Sequence, residues 1–174
     1  MLFRSLAYGL GDAAQRLANN AYLFEEFLAR EHQAGTLKLK LKALPQSKAL
    51  LHGHCHQKAF DAVKPVQQVM ALIPGLEVQL IESSCCGMAG SFGYEKEHID
   101  VSMKMAELSL LPAVRKADAH TLIVADGTSC RHQIHDGAAR EAVHVARVMA
   151  AALDAEPFGR PETLVAVQKI SPPD

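Results

Sequence analysis

Hydrophobic and polar positions follow two alternating patterns along most of this chain. Short apolar runs of strand length are each followed by a longer segment in which apolar residues recur every three or four positions. The first pattern is typical of a buried strand and the second of an amphipathic helix. They predict strands at residues 49–52, 76–81, 121–125 and 143–145, and helices at 63–73, 95–116 and 146–153. Strands that alternate with helices indicate an α/β fold, a parallel sheet of about four strands with helices on both faces.

The segment before the first strand predicts a helix and then an extended connection. Apolar residues recur with helical spacing from Asp12, a suitable N-cap, to Gly35, which ends the pattern. The core face of this single N-terminal helix would consist of Leu17, Ala21, Phe24, Phe27 and Leu28. Leucine and lysine then alternate over residues 36–42, which indicates a solvated connection whose leucines pack on the core.

The patterned segment sets the boundaries of one domain. Residues 1–11 show no periodicity that continues into the helix, so we treat them as a leader of native or artefactual origin. We predict a cysteine-rich α/β domain at residues 12–154. The proline-containing stretch at residues 155–174 is expected to be a tail.

Charge and composition restrict the possible partners. A formal net charge of −1 gives no reason to expect nucleic acid. No apolar run approaches the length of a membrane span, and no secretory leader is recognisable. We therefore expect a cytoplasmic, reducing environment, in which four cysteines and nine histidines indicate metal or redox chemistry rather than disulfides.

The four cysteines follow three of the predicted strands. Cys55 comes after the first strand, the adjacent pair Cys85 and Cys86 after the second, and Cys130 after the third. In a parallel sheet all strands end at the same edge, which is where ligand sites occur. The sequence therefore predicts that loops far apart in the chain bring four sulfurs to one edge of the sheet.

Four convergent thiolates fit either an iron–sulfur cluster or a tetrahedral zinc ion. Structural zinc sites usually present two Cys-x-x-Cys pairs, which this chain lacks, and adjacent ligands such as Cys85 and Cys86 suit a centre with several metal atoms. Gly87 and Gly90 would let the backbone close on the site and direct amides at the sulfurs. A single cysteine is often a small core residue, but this interpretation is weaker for four cysteines that we expect to lie in loops.

Histidines lie beside two of the cysteines. His54 and His56 flank Cys55, and two more histidines follow Cys130. Neutral imidazoles bind metals or hydrogen-bond to metal ligands, although loop histidines often bond only to backbone. We single out His54 and His56 as candidates for contact with the centre. A thiol enzyme with Cys55 as nucleophile is a third interpretation, but it leaves the adjacent cysteines unexplained.

Three segments that contain the cysteines resemble the second cysteine-rich repeat of the CCG-domain family. They are His-Gly-His-Cys-His-Gln-Lys at residues 52–58, Cys-Cys-Gly-Met-Ala-Gly-Ser-Phe-Gly-Tyr at 85–94 and Ser-Cys-Arg-His-Gln at 129–133. The family includes the cysteine-rich subunit of heterodisulfide reductase and the iron–sulfur subunits of glycolate oxidase and anaerobic glycerol-3-phosphate dehydrogenase. Over residues 22–153 the chain is most similar to the C-terminal part of FAD-linked oxidases of the D-lactate and 2-hydroxyacid dehydrogenase type.

The resemblance implies an electron-transfer role in a flavin-dependent 2-hydroxyacid oxidoreductase. Cys55, Cys85, Cys86 and Cys130 would be the ligands of an iron–sulfur cluster of the [4Fe–4S] type or, as in some members, of zinc. Electrons would come from FAD on a domain or subunit absent from this chain and pass to a quinone, a cytochrome or another cluster. The resemblance also implies a C-terminal fragment, either cytoplasmic or peripheral on the inner face of the membrane. The family's last element is often Cys-x-x-Cys, whereas the position three before Cys130 is Gly127.

Overall fold

The computed structural model describes residues 10–154 of the 174-residue chain. The predicted tail at 155–174 lies outside the described residues, and so does the predicted leader apart from Leu10 and Gly11.

The described part of the chain contains one four-stranded parallel sheet. Its strands are β1 (Lys48–His52), β2 (Glu77–Leu80), β3 (Leu122–Ala125) and β4 (Ala142–Val143), in the order β2-β1-β3-β4. All three neighbouring pairs are parallel. The α/β fold predicted from the alternating patterns is confirmed, and the carboxyl ends of all strands lie at one edge.

Eight α-helices surround this sheet within residues 10–154. They are α1 (Gly11–Asn19), α2 (Phe24–Gln33), α3 (Cys55–Ala59), α4 (Val63–Met70), α5 (Ile99–Glu107), α6 (Leu110–Lys116), α7 (Thr128–Ala138) and α8 (Val145–Ala152). Pro65 lies in the first turn of α4, where its missing N–H is tolerated. None of these helices is both long enough and apolar enough to cross a membrane.

The sheet has an apolar core on each face, because successive side chains of its buried strands point to opposite sides. Leu51 and Val124 pack in one core with residues from α2, α4 and α8. Leu50 and Ile123 pack in the other core with residues from α6 and α7, and this second core includes Cys86 and Cys130. The face that carries the cysteines is therefore fixed by the alternation along β1 and β3.

The prediction of one N-terminal helix is wrong, since the segment forms two helices, α1 and α2. The Glu26 carboxylate accepts a hydrogen bond from the Leu23 backbone N–H at 2.9 Å, which caps a new helix at this point. The predicted core face is also largely wrong: Leu17, Phe24 and Phe27 are exposed, whereas the acidic Glu25 is only 4% exposed. The break changes which side of each helix faces the sheet. Of the predicted face, Leu28 does pack in the core, together with Ala29.

The predicted long helix at residues 95–116 is likewise divided into α5 and α6. Pro112 has no N–H to bond to the carbonyl of Leu108, and the helix restarts at Leu110 so that the proline lies in a first turn. Leu108 lies at the break and is 77% exposed, although it falls at an apolar position of the predicted helix.

The leucine–lysine connection follows its prediction in part, since Leu39 is exposed. Leu37 and Leu41 pack against the first core, and the segment forms no regular strand beyond an isolated bridge between Leu41 and Leu153.

Two cysteines are not in loops as predicted. Cys55 is the first residue of α3, and Cys130 lies in the first turn of α7. The segments that leave β1 and β3 are only two residues long, so each strand runs almost directly into a helix. Cys85 and Cys86 do lie in the longer segment after β2.

Candidate metal centre

The four cysteine sulfurs meet at the carboxyl edge of the sheet as two pairs. The Sγ atoms of Cys55 and Cys85 are 3.4 Å apart, and those of Cys130 and Cys86 are 3.2 Å apart. None of the four is in a disulfide bond. Cys55 and Cys85 are half-buried, whereas Cys86 and Cys130 are buried. Residues separated by up to 75 positions thus form one sulfur-rich site with an outer and an inner pair.

A tight backbone turn follows the adjacent cysteines. Gly87 has φ +89° and Gly90 has φ +73°, both in the left-handed region that favours glycine. The Gly87 N–H donates to the Cys85 sulfur over 3.3 Å. Gly90 has no such contact with a cysteine among the described hydrogen bonds, so its place in the site is to shape the turn.

His52 is a site residue that the sequence interpretation missed. It is fully buried at the end of β1, and a ring nitrogen lies within 4.8 Å of the sulfurs of Cys86 and Cys130. Its Nδ1 is 2.9 Å from Ser83 Oγ, and its Nε2 has no hydrogen-bond partner of standard geometry. Strand alternation was the available signal, because His52 follows Leu50 by two positions and therefore points to the same face.

The pKa values of the two inner cysteines shift in opposite directions. The hydrogen bond from Cys130, aided by His52, lowers the pKa of Cys86 to about 4. The same bond to the Cys86 thiolate, together with burial, raises the pKa of Cys130 above its ordinary range. In the outer pair, burial and the bond to Cys85 raise the pKa of Cys55. Cys86 is therefore the thiolate around which the other groups are arranged.

The two histidines singled out from the sequence have different positions. His54 is half-buried, and burial lowers its pKa, which favours the neutral ring. A Cβ atom on Gly127 would lie 2.4 Å from His54 Cδ2 and 2.9 Å from Cys130 Sγ, so the His54 ring lies beside the inner pair. His56 is exposed, and its backbone N–H donates to His54 Nδ1 at 3.3 Å. His56 thus contacts His54 through its backbone, and its predicted contact with the centre stays a prediction.

The histidines after Cys130 are engaged on the surface of α7. His132 Nδ1 is 2.7 Å from the hydroxyl of Tyr94, and His135 pairs with Asp136 at 3.0 Å. Arg131 donates to the carbonyl oxygens of Ala125 and Asp126, so it braces the end of β3.

Two buried glutamines fix the backbone around the sulfurs. Gln133 Nε2 donates to the Cys86 carbonyl at 2.9 Å and to the Ser102 carbonyl at 3.1 Å. Gln57 Nε2 donates to Asp126 Oδ2 at 2.6 Å, which ties α3 to the end of β3. Both bonds join segments that carry different cysteines, so they hold the site in register.

A second polar cluster, Glu25 with Asp126 and His144, lies at the same edge. Ligand atoms of the three side chains lie within 4.8 Å of one another. Burial, followed by the charges of Asp126 and Glu26, raises the pKa of Glu25 to about 7. Asp126 Oδ1 accepts from the Val145 N–H at 3.0 Å, and His144 Nδ1 accepts from the Ala146 N–H at 3.0 Å. Since Asp126 and His144 already cap α8, we interpret this cluster as a structural one.

The donor set fits a thiophilic metal centre. Four sulfurs and a buried imidazole converge, with one backbone amide directed at a sulfur. A regular tetrahedral zinc site would place its ligand sulfurs about 3.8 Å apart, given Zn–S bonds of about 2.3 Å. Within the described part of the chain, the compact group contains Cys86, Cys130 and His52, and the outer sulfurs do not join it within 4.8 Å. The sulfurs thus lie as two separate pairs.

Comparison with curated proteins identifies relatives among dehydrogenases. The chain is 31% identical over 115 residues to one subunit of the anaerobic glycerol-3-phosphate dehydrogenase of Escherichia coli K12, an alignment that covers 66% of this chain and 28% of that protein. It is 29% identical over 115 residues to D-2-hydroxyglutarate dehydrogenase of Haemophilus influenzae, covering 63% of this chain and 11% of that protein. The chain thus spans only about a quarter or a tenth of the length of these relatives.

Neither a family model nor a solved structure matches the chain. The resemblance seen in the cysteine segments is nevertheless confirmed by the relatives, because the first is a glycerol-3-phosphate dehydrogenase subunit, as expected from it. The chain is a homologue of this anaerobic glycerol-3-phosphate dehydrogenase subunit and of D-2-hydroxyglutarate dehydrogenase.

Proposed function

We propose that this domain binds an iron–sulfur cluster, of the [4Fe–4S] type, and relays electrons in a flavin-dependent 2-hydroxyacid oxidoreductase. The observation that carries the proposal is the convergence of four cysteine sulfurs from three strand ends at one edge of the sheet. Ligands at this edge are the general arrangement for parallel α/β sheets.

The two-pair arrangement favours a cluster over a single zinc ion. The outer pair, Cys55 and Cys85, does not enter the compact group formed by the inner pair and His52. A polynuclear centre offers several metal atoms, so the four sulfurs can bind at different points of it, whereas one zinc ion needs all its ligands around one point.

The bound cluster would supply one-electron transfer between a reduced flavin and an acceptor. The four cysteines would be its ligands, and the Gly87 amide and neighbouring histidines would tune its potential through hydrogen bonds. Because Cys55 and Cys85 are half-buried while Cys86 and Cys130 are buried, the outer pair marks the side from which a redox partner would approach.

The remaining parts of the oxidoreductase would lie outside this chain. The relatives are dehydrogenases by name, and the matched region is a small part of each. We assign the FAD to another domain or subunit, with a quinone, a cytochrome or a further cluster as acceptor. The complex would be cytoplasmic, or peripheral on the inner face of the membrane.

Metal and sulfide analysis of anaerobically purified or reconstituted full chain tests this proposal. We expect about four irons and about four sulfides per chain and a broad visible absorbance. Cys86→Ala and Cys130→Ala should lose the chromophore, whereas Ser129→Ala, a half-buried neighbour of Cys130, should retain it. Iron-free, colourless protein after reconstitution would reject the cluster.

A structural zinc site is the second candidate function. The observation in its favour is the compact group of His52, Cys86 and Cys130, which offers three zinc ligands to one ion. It predicts one zinc per chain, no visible chromophore and folding that depends on the metal. The same metal analysis distinguishes the two centres.

A further inference from the structure

A buried histidine lies behind the inner sulfur pair with one nitrogen engaged and one not. His52 is fully buried, and its Nδ1 is 2.9 Å from the hydroxyl oxygen of Ser83. Its Nε2 has no hydrogen-bond partner of standard geometry, although the ring lies within 4.8 Å of the sulfurs of Cys86 and Cys130. A fully buried N–H or lone pair normally has a partner, and the neighbouring cysteine sulfurs are the candidate partners of Nε2.

A lysine lies at the other end of this contact. Lys58 Nζ donates to Ser83 Oγ at 3.3 Å and to the Ser84 carbonyl at 2.8 Å, and it also contacts the Ser83 carbonyl. An ammonium group has hydrogens but no lone pair, so the Ser83 oxygen must accept from it. The Ser83 hydroxyl hydrogen is then free to donate, and His52 Nδ1 is the acceptor beside it.

The direction of this bond decides what Nε2 can do. In a neutral imidazole one nitrogen accepts and the other carries the hydrogen. If Nδ1 accepts from Ser83, Nε2 bears the hydrogen and is a donor. If Nδ1 donated to Ser83 instead, Nε2 would present a lone pair and could bind a metal.

We propose that Lys58, Ser83 and His52 form a hydrogen-bond relay that ends with the His52 Nε2–H donating to the Cys86 sulfur. His52 is then a positioning residue that acts through a ligand and not a metal ligand itself. A donor aimed at a ligand sulfur withdraws electron density from it, which raises the reduction potential of the centre. This last effect rests on the proposed cluster, whereas the relay itself does not.

The first test reads the tautomer without a cluster. In reduced, metal-free full chain labelled with ¹⁵N, long-range ¹H–¹⁵N NMR should show His52 with its hydrogen on Nε2. The exposed His120 is the control for a histidine ring that is not buried. His52 found with its hydrogen on Nδ1 overturns the relay, whatever the metal content of the protein.

The second test reads the potential of the reconstituted cluster. His52→Leu and Ser83→Ala should each lower the midpoint potential, and the double variant should fall no further than His52→Leu, because both remove one relay. His120→Gln should leave the potential unchanged. Additive shifts of the midpoint potential in the double variant would overturn the relay. So would pulsed EPR of ¹⁵N-labelled protein that shows the strong coupling of a directly bound nitrogen. If the protein does not incorporate iron, the proposed cluster is rejected. The NMR test of the His52 tautomer still decides whether the relay exists, because it uses metal-free protein.

Discussion

A methyl group on Gly87 would lie 2.1 Å from the carbonyl oxygen of Ser102. That carbonyl belongs to α5 and also accepts a hydrogen bond from Gln133, so it is held from two sides. Gly87 has φ +89° as well, a backbone conformation that side chains disfavour. The turn after the adjacent cysteines therefore requires glycine for two independent reasons.

Gly87→Ala should destabilise the domain and disrupt the candidate metal centre. We expect the free energy of unfolding to fall by about 3 kcal/mol or more, from backbone strain plus overpacking. Gly75→Ala is the matched control, since Gly75 has φ +74° but nothing within 4 Å of the added methyl, and it should cost only about 1 kcal/mol. Urea denaturation and metal content measure both effects. Equal losses in the two variants would contradict the close approach to Ser102.

Gln133→Leu should loosen the segment that carries Cys86. The substitution keeps the approximate size of the side chain but leaves the buried Cys86 carbonyl without the Gln133 donor and removes the second bond from Gln133, to the Ser102 carbonyl. Unpaired buried groups cost about 1–3 kcal/mol each, so we expect a stability loss of that order. Chemical denaturation, with hydrogen exchange of the Gly87 and Met88 amides, measures it. Gln15→Leu, at an exposed glutamine on α1, should change neither quantity.

The sheet could be predicted because its signal is local. The buried run Leu-Ile-Val-Ala of β3 favours a strand regardless of its neighbours, and alternation with helices implies the parallel topology. The buried faces of α2 and α5 could not be predicted in the same way. Burial of Glu25 and exposure of Leu108 follow from where the helices break and what then packs on them, which is tertiary information.

The cysteine site was predictable for the same topological reason, but its inner lining was not. Strand ends carry the cysteines to one edge, and the structure brings their sulfurs together in pairs. His56 looked equivalent to His54 in sequence, yet only His54 lies against Gly127, because α3 begins at Cys55 and turns His56 outward. Strand alternation would have identified His52, whereas nothing local indicates the role of Gln133.

His54 occupies space that a side chain at position 127 would need. Gly127 has φ −68°, so alanine is acceptable to the backbone, and the conflict is with the His54 ring and the Cys130 sulfur. We expect Gly127→Ala to cost about 1–3 kcal/mol in the native background and less in a His54→Ala background. A double-mutant cycle by urea denaturation measures the coupling. Strictly additive stability losses would show that the His54 ring does not obstruct a side chain at position 127. If the losses are coupled, we expect Gly127→Cys to be accommodated only when His54→Ala is also present.

Glu25 should make the domain less stable as pH rises. Its pKa is raised from 4.5 to about 7, chiefly by burial and then by Asp126 and Glu26, with His144 also facing it. Between these pH values the folded chain binds more protons than the unfolded chain, so this group's contribution falls from about pH 4.5 to about pH 7 and then stays constant. Glu25→Gln removes the titration and should be more stable than the native chain at about pH 8, by on the order of 2 kcal/mol.

Urea denaturation at about pH 5 and about pH 8 tests this, with the exposed Glu97→Gln as control. If Glu25→Gln and the native chain show the same pH dependence, the Glu25 carboxyl group ionises in the folded domain as it does in the unfolded chain.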